Sequence, residues 1–153
     1  KSKSGLAVSQ NLIDSMPLRV YPPGTVIVSC SADLGRCAII SVPLITNQTF
    51  IGLVPSENID SLYLFHLMSS KSKELNEMAT GATIKYLSKK KFQELEIPIP
   101  PLPQQKHISN KLNALKAECK KLDAIYTQKI ADLEEMKKSV LQKAFSGQLN
   151  TVN

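Results

Sequence analysis

The stretch LEIPIPPLPQQKHI, residues 95–108, decides how this chain is organised. Pro98, Pro100, Pro101 and Pro103 fall within six residues and stand directly before the longest helical pattern in the sequence. Polyproline backbone is extended and pre-ordered, and proline lacks the N–H that a helix needs beyond its first turn. The stretch therefore stops the preceding sheet and sets the direction in which a helix leaves. A Gly/Ser linker would let that helix wander. A stiff joint implies that distance or angle matters.

Downstream, residues 104–146 contain neither Pro nor Gly and repeat apolar residues at alternating spacings of 3 and 4. With Leu112 at position a of a heptad, the a sites are Leu112, Cys119, Tyr126, Leu133 and Val140. The d sites are Ile108, Leu115, Leu122, Lys129, Met136 and Lys143. All but the two lysines are apolar or Cys/Tyr, which is a coiled-coil seam. A helix of about 43 residues would reach roughly 64 Å, so a projecting helix is expected, with its seam in need of a partner. Gly147 sits where a C-terminal stop belongs.

Upstream the pattern changes to short β-type runs. LRVY (18–21) and TVIVSCS (25–31) flank the turn Pro22-Pro23-Gly24. CAIISV (37–42) follows Asp33-Leu34-Gly35-Arg36, and TFIGLV (49–54) follows Thr46-Asn47-Gln48. These runs predict a meander or small barrel. Asp60 or Ser61 can cap a helix carrying Leu64, Leu67, Met68, Leu75 and Met78, with Gly81 as its stop. Ser88 can cap a short helix, and EIPI (96–99) reads as a return to strand. The fold class is thus α+β, with a small β-rich domain over 1–103, a long helix over 104–147 and a tail over 148–153.

The chain has 153 residues, 42% of them hydrophobic, so it can build a core of domain size. A net charge of +6 favours an anionic partner such as nucleic acid. With 5% aromatics and no Trp, a platform that stacks single-stranded bases is disfavoured. Cys30, Cys37 and Cys119 have no C-x-x-C pattern and no histidine at ligand spacing, as expected of reduced thiols in a cytoplasmic protein. No run approaches a membrane span. The opening Lys1-Ser2-Lys3-Ser4-Gly5 reads as the interior of something longer.

ATGATIKYLSKKKFQELEIPIPPLPQQKHISNKL, residues 79–112, resembles the end of a target recognition domain from the specificity subunit of type I restriction–modification enzymes. The elements are the Gly81-to-Thr83 turn, Leu87-Ser88, the Glu96–Ile99 run, the proline knuckle, and Gln105-Lys106-x-Ile108 at a helix head. VIVSCSADLGRCAI, ITNQTFIGLVPSENIDSLYLFHLM and LEEMKKSVLQKAFSGQL resemble further parts, so the likeness covers about residues 20 to 149. Family domains begin with a further N-terminal block of strands, and complete subunits carry two recognition domains and two spacer helices. A half subunit, a fragment or a half-length subunit acting as a dimer is expected.

The resemblance implies a non-catalytic subunit that binds double-stranded DNA. Its recognition domain would read one half-site of a bipartite target, while the helix sets half-site spacing and docks methyltransferase subunits, and through them the restriction subunit. S-adenosylmethionine is expected on those partners, with no cofactor on this chain. The helix partner would come from the other half of the subunit or from a second copy. The competing reading is a coiled-coil oligomerisation module without DNA binding, which would self-associate and leave DNA alone.

Lys85, Lys89, Lys90 and Lys91 are the densest basic run and suit phosphate contacts, although a solvated helix start has the same composition. Thr80, Gly81 and Thr83 can present hydroxyls and close backbone to a groove, or simply end a helix. Ser29, Ser31, Asp33 and Arg36 surround a turn. Arg36 has the fork that pairs with guanine and Asp33 can accept from cytosine N4, while the two can equally pair with each other. Lys1, Lys3, Gln10 and Asn11 are further polar candidates. Asn47 and Gln48 read as buried turn formers and His66 as a packed core histidine. His107 has no ligand companion, and Glu118-x-Lys120 is an ordinary helix charge pair rather than a nuclease motif. With no Gly-rich phosphate loop, no residue set in the sequence points to catalysis or to a metal.

Overall fold

The structure is a computed structural model that describes residues 9–15 and 18–148; Lys1, Lys3 and residues 149–153 of the tail lie outside them. It comprises two compact units, 1–110 and 111–153. Among the described residues of the first, helix α1 (Gln10–Ser15) precedes five short strands: β1 (Val20–Tyr21), β2 (Val26–Ser29), β3 (Cys37–Ile39), β4 (Leu44–Ile45) and β5 (Phe50–Leu53). Helices α2 (Ser61–Ser70), α3 (Ser72–Met78) and α4 (Lys89–Gln93) follow. The long helix α5 (Leu102–Phe145) gives its first turns to this unit and its remainder to the second.

The strands form two antiparallel sheets rather than one meander. β2 is central, flanked by β3 through the pairs Val26↔Ile39 to Val28↔Cys37 and by β5 through Val26↔Leu53 to Ser29↔Phe50. β4, which lacks a distinct run of its own in the sequence, leaves this sheet and pairs with β1, Val20 opposite Ile45. All of β2 is buried, because it is covered on its face by α2 as well as flanked by strands. Val26, Val28, Cys30, Leu34, Leu64, Met68, Leu75, Leu87 and Phe92 form the core.

Asp60 caps α2, its side chain accepting from the Tyr63 N–H at 2.8 Å. The single helix expected through Met78 is instead broken at Lys71, whose N–H is shared between Leu67 O and Met68 O, both at 3.2 Å. Ser69 and Ser70 donate back to Phe65 O and Leu67 O, the back-bonding that bends a helix. The break delivers Leu75 to the core. Ser88 caps α4 as expected, accepting from the Lys91 N–H at 3.3 Å. His66 is partly buried, its ring edge-on to Phe65.

Two further expectations are corrected. The EIPI run forms no strand. Pro98 and Pro100 have no N–H to give a ladder, and their carbonyls are taken by the Tyr63 hydroxyl at 3.0 Å and Gln105 Nε2 at 2.7 Å. Asn47 does form a turn, its Oδ1 accepting from Thr49 N–H and hydroxyl at 3.1 and 2.6 Å, but it and Gln48 are exposed rather than buried.

Candidate nucleic-acid interface

Two loops distant in sequence are stapled side by side. Residues 80–86 fold back on themselves, Thr80 N–H donating to Tyr86 O at 3.1 Å and Tyr86 N–H to Thr80 O at 2.8 Å. The hinge is Gly81, with φ of +126°, where an added Cβ would lie 2.3 Å from Ile84 O. Only glycine fits both demands. Gly81 is therefore the pivot of this hairpin and not a helix stop, since α3 has already ended at Met78.

The second loop, residues 30–36, connects β2 to β3. Leu87 N–H donates to Cys30 O at 2.9 Å and Ala32 N–H to Lys85 O at 3.3 Å, which joins the two loops. Its far side is fixed on α3. Leu34 is buried, and its carbonyl accepts from Ser72 Oγ at 3.1 Å and Asn76 Nδ2 at 3.3 Å. Gly35, with φ of +79°, presses so closely on Ser72 that a Cβ would meet its Cα at 2.6 Å. Ser29 N–H to Arg36 O and Gly35 N–H to Ser29 O, at 2.8 and 3.0 Å, close the turn.

On this braced backbone the candidate side chains divide. Ser29 is buried, its hydroxyl donating to Ser31 O at 3.0 Å, so it serves the turn and is withdrawn from the surface. Ser31 is half-buried. Asp33 and Arg36 face solvent and form an ion pair, Arg36 Nε to Asp33 Oδ2 at 2.6 Å. Thr80, Gly81 and Thr83 are exposed on the hairpin. Ile84 and Tyr86, which composition gave no reason to select, stand exposed beside them.

The lysines divide too. Lys85 Nζ reaches Asn76 O at 3.4 Å and Lys91 Nζ reaches Met78 O at 3.1 Å. Both carbonyls belong to the last turn of α3, which has no basic residue there, and a cation at that end opposes the helix dipole. Lys89 and Lys90 point to solvent on α4. Lys91 is thus partly buried against the fold, Lys85 touches the same helix end from the surface, and Lys89 and Lys90 face outward.

At the head of α5, Gln105 is fully buried. Its Oε1 accepts from Asp60 N–H at 2.9 Å, and its Nε2 donates to Asn58 O at 2.9 Å as well as to Pro100 O. Ser109 Oγ, also buried, lies 3.1 Å from Asp60 Oδ1 and 2.8 Å from Gln105 O. These contacts seat the first turns of the helix on the N-terminus of α2. The prolines limit the conformations of the joint, and Gln105 selects one.

Along the rest of α5 the seam Ile108, Leu112, Leu115, Cys119, Leu122, Tyr126, Leu133, Met136 and Val140 is exposed throughout. The d-site Lys129 places its ammonium 5.9 Å from the Tyr126 ring, which lets a cation sit beside an apolar stripe. Ile125 and Ile130 are exposed next to the seam and widen it. Among the described residues, no group of His, Cys, Asp and Glu could hold a metal ion, and no helix is long and apolar enough to cross a membrane.

Residues 3–135 match the family model described as the type I restriction modification DNA specificity domain. The chain is 32% identical over 108 residues to the type I restriction enzyme MjaIX specificity subunit of Methanocaldococcus jannaschii, covering 69% of this chain and 25% of that protein. It resembles the crystal structure of the HsdS subunit from Thermoanaerobacter tengcongensis with a TM-score of 0.66 and 26% identity, covering 88% of this chain and 33% of that one. A chain from a structural study of complex assembly and conformational transition in the type I R-M system gives a TM-score of 0.75 at 27% identity, covering 88% and 34%. The chain thus spans about a quarter to a third of the proteins it matches.

Proposed function

The chain belongs to the type I restriction modification DNA specificity family, and from that premise we propose that it is a sequence-reading element of a type I restriction–modification complex. The first unit contacts one half-site of a bipartite duplex target through the paired 30–36 and 80–86 loops. The helix α5 sets the gap to the other half-site and docks methyltransferase subunits. Those subunits hold S-adenosylmethionine and connect to the restriction subunit, and this chain performs no bond-making step itself.

One observation carries the reading. The family match runs from residue 3 to residue 135, across the sheet, the loop pair and most of α5, so it spans reader and helix together. The loop pair fits the task physically: its backbone is braced by hydrogen bonds and α3, while Asp33, Arg36, Thr83 and the outward Lys89 and Lys90 remain in solvent. Phosphate contacts from lysines supply affinity, and base-edge contacts from the loops supply sequence preference.

The exposed seam also suits a module that only oligomerises, and one experiment separates the two readings. The chain, assembled with its methyltransferase subunits, is offered a pool of random duplexes across a salt series. Enrichment of a fixed sequence, with affinity falling as salt rises, is expected. Self-association without enrichment would assign the chain to the oligomerisation reading instead.

A further inference from the structure

We propose that Arg36 reads one guanine of the half-site and that Asp33 is the residue that positions it. This rests on the DNA-reading function proposed above and names residues within it.

The chain contains two arginines against 17 lysines, by subtraction from a total of 19 Lys and Arg. Arginine carries a planar, pre-organised fork that meets guanine O6 and N7 together, whereas lysine reaches the same atoms as a flexible point charge. The other arginine, Arg19, lies outside the two stapled loops, its guanidinium 5.0 Å from the centre of the Tyr21 ring. Arg36 is 80% exposed in its side chain, and it contacts Asp33 through Nε. That contact uses one edge of the guanidinium and leaves the two terminal amino groups, the pair that a guanine would take.

The backbone beneath is held from both sides. Leu34 and Gly35, between the two residues, are fixed on α3 by the buried leucine, by two side-chain hydrogen bonds to its carbonyl and by the close approach to Ser72. Ala32, on the other side, is tied to the Lys85 carbonyl. Leu34 belongs to the core and serves the fold, but an exposed ion pair adds little to stability, so pairing the arginine above it has small value to the fold. Its effect is to limit the positions of the fork before DNA arrives, which lowers the ordering cost of a bidentate contact. Asp33, with its carboxylate on Nε, then acts through Arg36 and not on cytosine directly.

The test uses the full subunit assembled with its methyltransferase partners, and duplexes carrying the sequence it methylates, each with one base pair replaced. Arg36→Ala should weaken the native duplex by about 10- to 100-fold and abolish discrimination at a single G·C pair. Arg36→Lys should recover part of the affinity and less of that discrimination than the native arginine gives. Asp33→Asn should reduce discrimination at the same pair, and the double variant should be no worse than Arg36→Ala alone. Loss at a different base pair in Asp33→Asn would make Asp33 its own reader and overturn the positioning role. Equal weakening on every duplex, with a reduced salt slope, would make Arg36 a phosphate contact and overturn the proposal. If the native assembly prefers no duplex, the underlying DNA-reading function fails and takes the proposal with it.

Discussion

The Asp60 N–H donates to the side-chain oxygen of Gln105 at 2.9 Å, joining positions 45 residues apart at the foot of the long helix. Asp60 in turn caps α2, and Gln105 in turn holds Pro100. A single buried amide therefore ties together a helix start, a proline knuckle and the head of α5. The knuckle is stiff because of its prolines, and it is placed because of Gln105.

Replacing Gln105 by Leu should be costly. The change strands one N–H and two carbonyls at a part-buried site, at about 1–3 kcal/mol for each group left unpaired and less where water enters. A loss of about 2–4 kcal/mol is expected in urea denaturation. Gln105→Glu keeps the acceptor but brings a carboxylate against the Asn58 and Pro100 carbonyls, so it should be no milder.

Lys91 and Lys89/Lys90 should behave oppositely, although they are adjacent. Lys91→Ala removes a cation from the α3 terminus and should lower stability by about 0.5–1.5 kcal/mol. The Lys89→Ala, Lys90→Ala double variant should leave stability unchanged and make the logarithmic salt slope of duplex binding shallower by about 1–2. A slope that does not move would remove both residues from the phosphate contacts.

Gly81→Ala meets the Ile84 carbonyl and a positive φ together. The 80–86 hairpin should open at a cost of about 1–3 kcal/mol. Because the 30–36 loop pairs with this hairpin, duplex discrimination should fall along with stability. Hydrogen exchange at Tyr86 and Leu87 is the direct measure, and should accelerate.

Burial pushes the Cys30 thiol up to about 11, with the neighbouring Cys37 adding to the rise and a backbone hydrogen bond from Ile51 opposing it. Cys37 is raised as well, again by burial. Cys119 lies exposed on α5. In the isolated chain at pH 8, a thiol reagent should modify Cys119 rapidly and Cys30 only after unfolding. A folded pKa above the unfolded value means that the unfolded chain loses its proton first. Cys30 therefore contributes stability that is complete below about pH 9 and declines towards pH 11. Denaturation midpoints across that window should fall.

Leu115 and Leu122 face solvent at successive d sites of the seam. Changing both to Asp should abolish helix pairing, whether the partner is another part of the same subunit or a second copy. Sedimentation and circular dichroism should report lower mass or lower helix content. Unchanged values for both would remove the seam from the pairing surface.

Much of this architecture is legible in the sequence. The 3,4 rhythm after Pro103 marked α5 because a heptad seam is a local, repeated signal, and Ser88 and Asp60 marked their helices because capping is local too. The short β4 was not legible, since two residues carry no period and its partner β1 lies more than twenty positions upstream. Gly81 was read as a helix stop because a glycine after a helix usually is one. Its role depends on the Ile84 carbonyl, a contact that no spacing reveals. Ser29 carried the same surface chemistry as Ser31 until strand pairing turned it inward. The resemblance located the Gln105 motif, but its three hydrogen-bond partners are a tertiary fact.

The central claim, that the first unit reads one half of a bipartite target, is tested most directly by exchanging that unit in the full subunit. Residues 1–110 are replaced with the equivalent unit of a relative of different specificity, and methylated positions in the host DNA are sequenced. One half of the methylated motif should change to that of the donor while the gap and the other half persist. A motif unaltered by the exchange would contradict the claim.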